Sequence, residues 1–258
     1  TNSPTSYSID WNAAANTAGL LDQDVTAHTF VGAGGIMPNV AIQANVAAGT
    51  YNGTLSIITA GGCRNTQAIS LTINSLPTAN AGSAFTKTCS ANISGATIGE
   101  ATAVGFTYSW SPATGLSSST VSNPVANPLT TTTYTVTKTN TASGCSATAS
   151  VTVTVNNTPP TAVAGADFTK TCILNPTGRV IGETAVAGNT YSWSPTAGLS
   201  SSTIANPTAN PTTTTTYTVT KTTTATGCSS TASVIVTVNT STPTVSAGSP
   251  FTKTCISN

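Results

Sequence analysis

The sequence predicts an all-β chain made of β-sandwich domains strung in tandem, and three observations lead there. The segment YSWSPATGLSSSTVSNPVANP (108–128) returns as YSWSPTAGLSSSTIANPTANP (191–211), 83 positions later. The stretches TYTVTKT (133–139) and SVTVTV (150–155) alternate with period two, the spacing of a strand with one buried face. The composition favours pleated strands over helices. It has 57 Thr among 258 residues, while only 7 side chains are basic and 6 acidic.

The repeat extends well beyond the segment that reveals it. Phe85, Lys87 and Cys89 recur as Phe168, Lys170 and Cys172, and again as Phe251, Lys253 and Cys255. Glu100, Trp110, Tyr134, Lys138 and Cys145 recur as Glu183, Trp193, Tyr217, Lys221 and Cys228. One offset without insertions is the mark of a repeat architecture. Pro-containing connectors open each copy: LPTANAG at 76, PPTAVAG at 159 and TPTVSAG at 242. Proline stiffens a linker, which favours a semi-rigid line of domains. The expected domains are a divergent β-sandwich at 1–76, truncated at its N-terminus, then repeats at 77–159 and 160–242. The start of a third repeat follows at 243–258 and is cut short.

Within a repeat the elements are expected in a fixed order. SAFTKTC and ISGATIGEATA supply the first strands, and TYSWS is the next. SPATGLSSSTVSNPVANP is too rich in Pro, Gly, Ser and Asn for a helix and reads as a turn-laden connection between sheets. TYTVTKT and SVTVTV then form a hairpin about the turn signal NTASGC. About seven short strands with frequent turns is the pattern of a sandwich, and no helical period stands out. Tyr108, Trp110, Leu116 and Tyr134 are expected as core and corner residues of one fold made twice.

In each repeat two cysteines lie 56 positions apart, Cys89 with Cys145 and Cys172 with Cys228. The expectation is one bridge per repeat, worth about 3–5 kcal/mol in the chain-entropy picture. Cys63 occupies the place of Cys145 and Cys255 that of Cys89. Both are expected as half-bridges with partners outside this stretch; the alternative is that they are free or bridge neighbouring chains. No cysteine spacing suits a metal, so the framework implies an oxidising, extracytoplasmic setting.

Alternation places Lys87 on the face of Phe85, Lys138 on the face of Tyr134 and Val136, and Glu100 with Ile98. The same holds for Lys170, Lys221 and Glu183. Charge on an apolar face must be paired. A Lys–Glu ion pair at the end of the core is the expectation. The alternative is a Lys–Asn isopeptide bond promoted by the Glu, with Asn92 or Asn175, Asn123 or Asn206, or Asn127 or Asn210 as acceptor.

Catalysis finds few tools. The chain has a single His, His28, which reads as a loop residue although Asp22 and Asp24 precede it. No catalytic residues, cofactor or metal site are expected; backbone carbonyls could at most supply a weak calcium site. Gly34, Gly35, Gly61 and Gly62 read as turns. A net charge of +1 gives no footprint for nucleic acid, and no apolar run reaches the length of a membrane span.

Together, TYSWSPATGLSSSTVSNPVANPLTTTTYTVT, SGC and SVTVTV closely resemble the PKD-like, immunoglobulin-like repeats of giant secreted proteins of the Bacteroidota. SPTSYSIDWNAAANTAGLLD and AAGTYNGTLSIITAGGC resemble a second repeat type often interspersed with them. The two resemblances cover essentially the whole chain. They imply a cell-surface adhesin or filament exported by the type IX route, of the gliding-motility adhesin type, in which such repeats serve mostly as stalk. The PKD signature carries acids beside its aromatics; YSWSP keeps the aromatic pair and lacks the acids, so no calcium or carbohydrate role is carried over.

The function expected is therefore structural and adhesive: an extended extracellular stalk of sandwich domains whose partners are neighbouring repeats, surface glycans or sister copies in a filament. A polymerising filament subunit and a glycan-binding or spacer module of a secreted hydrolase are the alternatives.

Overall fold

A computed structural model describes residues 4–30, 42, 45–242, 244–248, 250 and 252. The fold is all-β, with sixteen strands and one short helix among the described residues.

The N-terminal segment carries β1 (Pro4–Trp11), α1 (Ala13–Thr17), β2 (Gln23–Ala27), β3 (Gly49–Thr59) and β4 (Arg64–Ile73). They form one antiparallel sheet in the order β2-β1-β3-β4. In β1 every second residue, Tyr7, Ile9 and Trp11, is buried, as alternation requires. These three pack with Ala15 and Leu20. Helix α1 was not expected from the sequence. It is a single turn of small residues, started by Asn12, whose side-chain oxygen accepts from the N–H of Ala15 at 2.9 Å.

The first repeat carries β5 (Phe85–Thr88), β6 (Ala96–Thr97), β7 (Phe106–Ser111), β8 (Val125–Ala126), β9 (Thr132–Asn140) and β10 (Ser146–Asn156). The second repeats them 83 positions on as β11 (Phe168–Thr171), β12 (Arg179–Val180), β13 (Asn189–Ser194), β14 (Thr208–Ala209), β15 (Thr215–Thr223) and β16 (Ser229–Asn239). Each copy has a four-stranded sheet, β5-β10-β9-β7 or β11-β16-β15-β13, and a two-stranded one, β6-β8 or β12-β14. The sequence led to more strand in ISGATIGEATA than the two residues of β6. Gly99 and its counterpart Gly182 end these strands in the left-handed region (φ +89° and +86°).

Outside these short strands the second layer is irregular chain, held to the main sheet by the polar ends of aromatic side chains. The indole N–H of Trp193 donates to the carbonyl of Ile204 at 2.9 Å, and the hydroxyl of Tyr217 donates to Ala197 at 2.6 Å. Trp110 and Tyr134 do the same to Val121 and Thr114. This is why the aromatic and Pro/Asn-rich segments are spelled twice: the ring fills the core and its polar tip fixes the loop. Leu116 is only half-buried. The second core joins Phe168, Ile181, Tyr191, Trp193, Tyr217, Val219, Val234 and Val236. Outward threonines pair across strands, as in Thr218 with Ser233 at 2.8 Å.

The chain divides into two compact units. One comprises Thr1–Ser83, Thr97–Val125 and Thr133–Val151, and the other Ala84–Ala96, Ala126–Thr132 and Thr152–Asn258.

Candidate functional site: a covalent joint at the repeat boundary

The one disulfide among the described residues joins Cys89 to Cys228, 139 positions apart, with their Cα atoms 4.9 Å from each other. Both cysteines lie in the second compact unit, yet one belongs to the first repeat and the other to the second. This corrects the expected pairs Cys89–Cys145 and Cys172–Cys228, because Cys145 and Cys172 are free.

The reason lies in strand direction. Strand β11 runs parallel to β16, with Thr171 opposite Asn239, so Cys172 lies just past the C-terminal end of β16. Cys228 stands just before Ser229, at the other end of the same eleven-residue strand. At about 3.3 Å per residue those ends are over 30 Å apart, whereas a disulfide needs Cα atoms within about 7 Å. In the first repeat Thr88 likewise faces Asn156, and Cys145 precedes Ser146. The first cysteine of a repeat thus sits where the chain leaves it. There Cys89 meets the hairpin turn of the second repeat.

The joint has further bonds around the disulfide. Sulfur Sγ of Cys89 lies 3.7 Å from the carbonyl of Asn157, and that of Cys228 4.0 Å from Asn156. The hydroxyl of Ser90 donates to the carbonyl of Thr226 at 3.0 Å. The connector that follows is fixed residue by residue. Ser230 donates to the carbonyl of Pro160, and its hydroxyl accepts from the N–H of Ala162 at 3.1 Å. Lys221 Nζ donates to the carbonyl of Thr161 at 3.0 Å.

Lys221 also forms an ion pair with Glu183, 2.6 Å from Nζ to Oε1, with both side chains largely buried. The hydroxyl of Tyr191 donates to the same carboxylate at 3.0 Å, and its ring lies 5.8 Å from Nζ. The first repeat has the same cluster: Lys138 to Glu100 at 2.6 Å, Tyr108 to Glu100 at 3.0 Å, and Lys138 to the carbonyl of Thr78 at 3.1 Å. Phe106 adds its ring face 4.6 Å from the Lys138 ammonium. The hydrogen bond from Lys221 holds the Glu183 carboxyl below the usual carboxylate range, against the opposing effect of burial. The hydrogen bond to Glu100 raises Lys138, and burial raises the Tyr108 phenol.

Lys87 and Lys170 do not join these pairs, although alternation grouped them with the apolar face. Each belongs to a strand of only four residues and is half-buried. Lys87 donates to Asn127 Oδ1 and to the carbonyl of Pro128, and Lys170 to the carbonyl of Pro211. Glu100, the carboxylate that would promote an isopeptide bond, is engaged by Lys138 and Tyr108 instead. Asn92 and Asn175 serve turns, donating to Thr86 and Thr169.

Cys63 is exposed in the turn between β3 and β4. Cys255 and Lys253 lie outside the described residues. His28 packs edge-on to Tyr7 and Phe30, with centroids 6.0 and 4.8 Å away. Asp22 accepts from the N–H of Trp11 at 2.7 Å and so serves the fold. Among the described residues no group of His, Cys, Asp and Glu could hold a metal, and no helix is long and apolar enough to cross a membrane.

No described protein family matches the chain, and no curated protein does. Solved structures of multidomain β proteins are similar to it at low identity. Mouse clustered PcdhgC3 EC1-3 aligns with 74% of this chain and 77% of its own length, at 10% identity and TM-score 0.36. The Drosophila OTK extracellular domains 3-5 align with 92% and 87%, at 13% and 0.32. The titin I-band fragment I67-I69 aligns with 78% and 77%, at 13% and 0.35. The chain spans 57% of the length of the PcdhgB3 EC1-4 fragment.

Proposed function

We propose that this chain is a length of structural and adhesive stalk in a large secreted bacterial cell-surface protein of the gliding-adhesin type. The observation that carries the reading is the Cys89–Cys228 bond across the repeat boundary, with the connector between Pro160 and Ala162 hydrogen-bonded to the second repeat. A protein whose work is turnover needs a site. A protein whose work is reach needs joints that do not fold back or part under pull. Here the joint receives the disulfide, a buried ion pair and a proline-stiffened linker, while no catalytic constellation was read from the sequence. The long strands β10 and β16, eleven residues each, would let every repeat add about 36 Å along an extended array. The Bacteroidota origin, the type IX export route and the role in surface attachment rest on the resemblance of the repeats.

The test is made on the producing cells. Antibodies to the chain should label intact cells at a distance from the envelope, surface protease should remove the label, and removal should lower attachment. Label confined to the cytoplasm, with all cysteines reduced, would overturn the reading.

A further inference from the structure

The loop Cys172–Asn175 at the far end of the second repeat reproduces the loop that, in the first repeat, forms the joint. Thr171 Oγ1 accepts from the N–H groups of Ile173 and Leu174 at 3.2 and 2.8 Å, as Thr88 accepts from those of Ser90 and Ala91 at 3.2 and 2.9 Å. Cys172 Sγ lies 3.9 Å from the carbonyl of Thr240, as Cys89 Sγ lies 3.7 Å from that of Asn157. The difference is in what it bonds to. Ser90 rests against the hairpin turn of the following repeat. Its counterpart Ile173 is 92% exposed and Leu174 57%, beside a free and exposed Cys172.

We propose that this loop is a docking surface for the hairpin turn of a further repeat of the same type in the same polypeptide, and that Cys172 forms a disulfide with the cysteine of that turn. The proposal rests on the stalk reading above. Its occupant is identified by the joint already present, in which the equivalent loop holds Thr226, Gly227 and Cys228. A second observation agrees. An exposed pair of large aliphatic side chains is costly to leave in water, and Ile173 stands at the position of Ser90, the residue that bonds to the turn in the preceding joint while staying exposed itself. TPTVSAG (242–248) and FTKTC (251–255) open another copy of the repeat, and Ile256 stands where Ile173 does. The apolar residue is thus spelled again at the next joint.

Closing the bond removes two protons and two electrons from the two thiols. A disulfide of a thiol–disulfide oxidoreductase, or a small-molecule disulfide, accepts them. One thiolate attacks that disulfide and displaces the first carrier thiolate. The second thiolate attacks the mixed disulfide and releases the other, leaving the carrier as a dithiol or two thiols.

The chain's few basic residues make the test direct. Cleavage after Lys and Arg puts Cys89, Cys145, Cys172 and Cys228 on four separate peptides, 88–138, 139–170, 171–179 and 222–253. The protein from its own producer is alkylated before unfolding and digested without reductant. The expected result is peptide 171–179 absent in free form and joined to a hairpin-turn peptide from beyond residue 258, with reductant releasing both. Peptide 171–179 alkylated, joined to 222–253, or joined to 139–170 of a second copy would each overturn the proposal. The 88–138 to 222–253 link reads the stalk joint separately. Its presence with an alkylated Cys172 would sink only the docking inference, whereas a link from 88–138 to 139–170 would sink the joint itself.

Discussion

Lys221 stands 2.6 Å from Glu183 and, through the same ammonium group, 3.0 Å from the carbonyl of Thr161 in the connector between the repeats. A pair that is usually read as core electrostatics is therefore also a clamp on a linker. Replacing one member strands the other charge where little water reaches it. Lys221→Met should cost about 3 kcal/mol, since breaking a buried pair leaves an uncompensated charge. The double variant Glu183→Gln with Lys221→Met should recover part of that loss. Urea unfolding followed by tryptophan fluorescence measures both. A single variant within 0.5 kcal/mol of the parent, on the order of an exposed pair, would contradict the burial argument.

The pairs also set a pH window. Glu183 has a lowered folded pKa, so its contribution is fully present above the unfolded value of about 4.3 and is lost as pH falls through the folded value. Lys138 has a raised folded pKa, so its contribution is fully present below about 10.4 and is lost as pH rises through the folded value. The Tyr108 and Tyr217 phenols, both raised first by burial, act on the same alkaline side. The melting temperature should be flat from about pH 5 to 9 and fall beyond both ends. Glu183→Gln should flatten the acid limb and leave most of the alkaline one. An acid limb that Glu183→Gln leaves unaltered would assign it elsewhere.

Pulling on single molecules separates the observed joint from a bridge within each repeat. Cys89 and Cys228 enclose 139 positions. At about 3.4 Å per residue, roughly 470 Å of chain is hidden from the pull until the bond is reduced. Bridges within repeats would instead release two lengths of about 190 Å each on the same arithmetic. The expected trace gains one long increment on adding reductant, and Cys228→Ser shows it without reductant. Two short increments would reinstate the within-repeat pairing. In the chain-entropy picture a loop of this size is worth on the order of 5 kcal/mol, so the same variant should also unfold at lower denaturant.

Much of the fold is legible in the residues because period-two alternation and a fixed offset are local signals. Tyr134, Val136 and Lys138 share a buried face of β9, as their spacing requires, and Trp110 and Trp193 are buried at equivalent places. The disulfide was not legible from spacing, because sequence distance does not say at which end of a sheet a residue lies. The needed fact is the parallel pairing of β5 with β10 and of β11 with β16, a long-range contact with no local spelling. Lys87 lies on the same side of β5 as Phe85, as alternation requires, but spacing does not say that its ammonium reaches Asn127 and Pro128 and not Glu100. Helix α1 is one turn of Ala, Asn and Thr and carries too few residues to show a period. The tyrosines that complete the Lys–Glu clusters read as core residues, and only the fold reveals that their hydroxyls reach Glu100 and Glu183.

The backbone at Gly182 delivers Glu183 to Lys221. Gly182 precedes it with φ +86°, and its N–H donates to the carbonyl of Ala164 at 2.8 Å. A Cβ there would lie 2.0 Å from the carbonyl oxygen of Ala205 and 3.0 Å from the Trp193 ring, and neither can retreat without moving the strand or the core. Gly182→Ala adds left-handed strain of about 1–2 kcal/mol to a backbone clash, so the loss should be on the order of 3 kcal/mol or more. Gly188 is the control. It too is left-handed, at φ +76°, but a Cβ there meets nothing within 4 Å. Gly188→Ala should cost only the strain, about 1–2 kcal/mol. Parallel urea unfolding of the two variants measures the difference. Equal losses would mean that conformational strain alone matters at Gly182, and that the close approach of the chain to Ala205 does not set the position of Glu183.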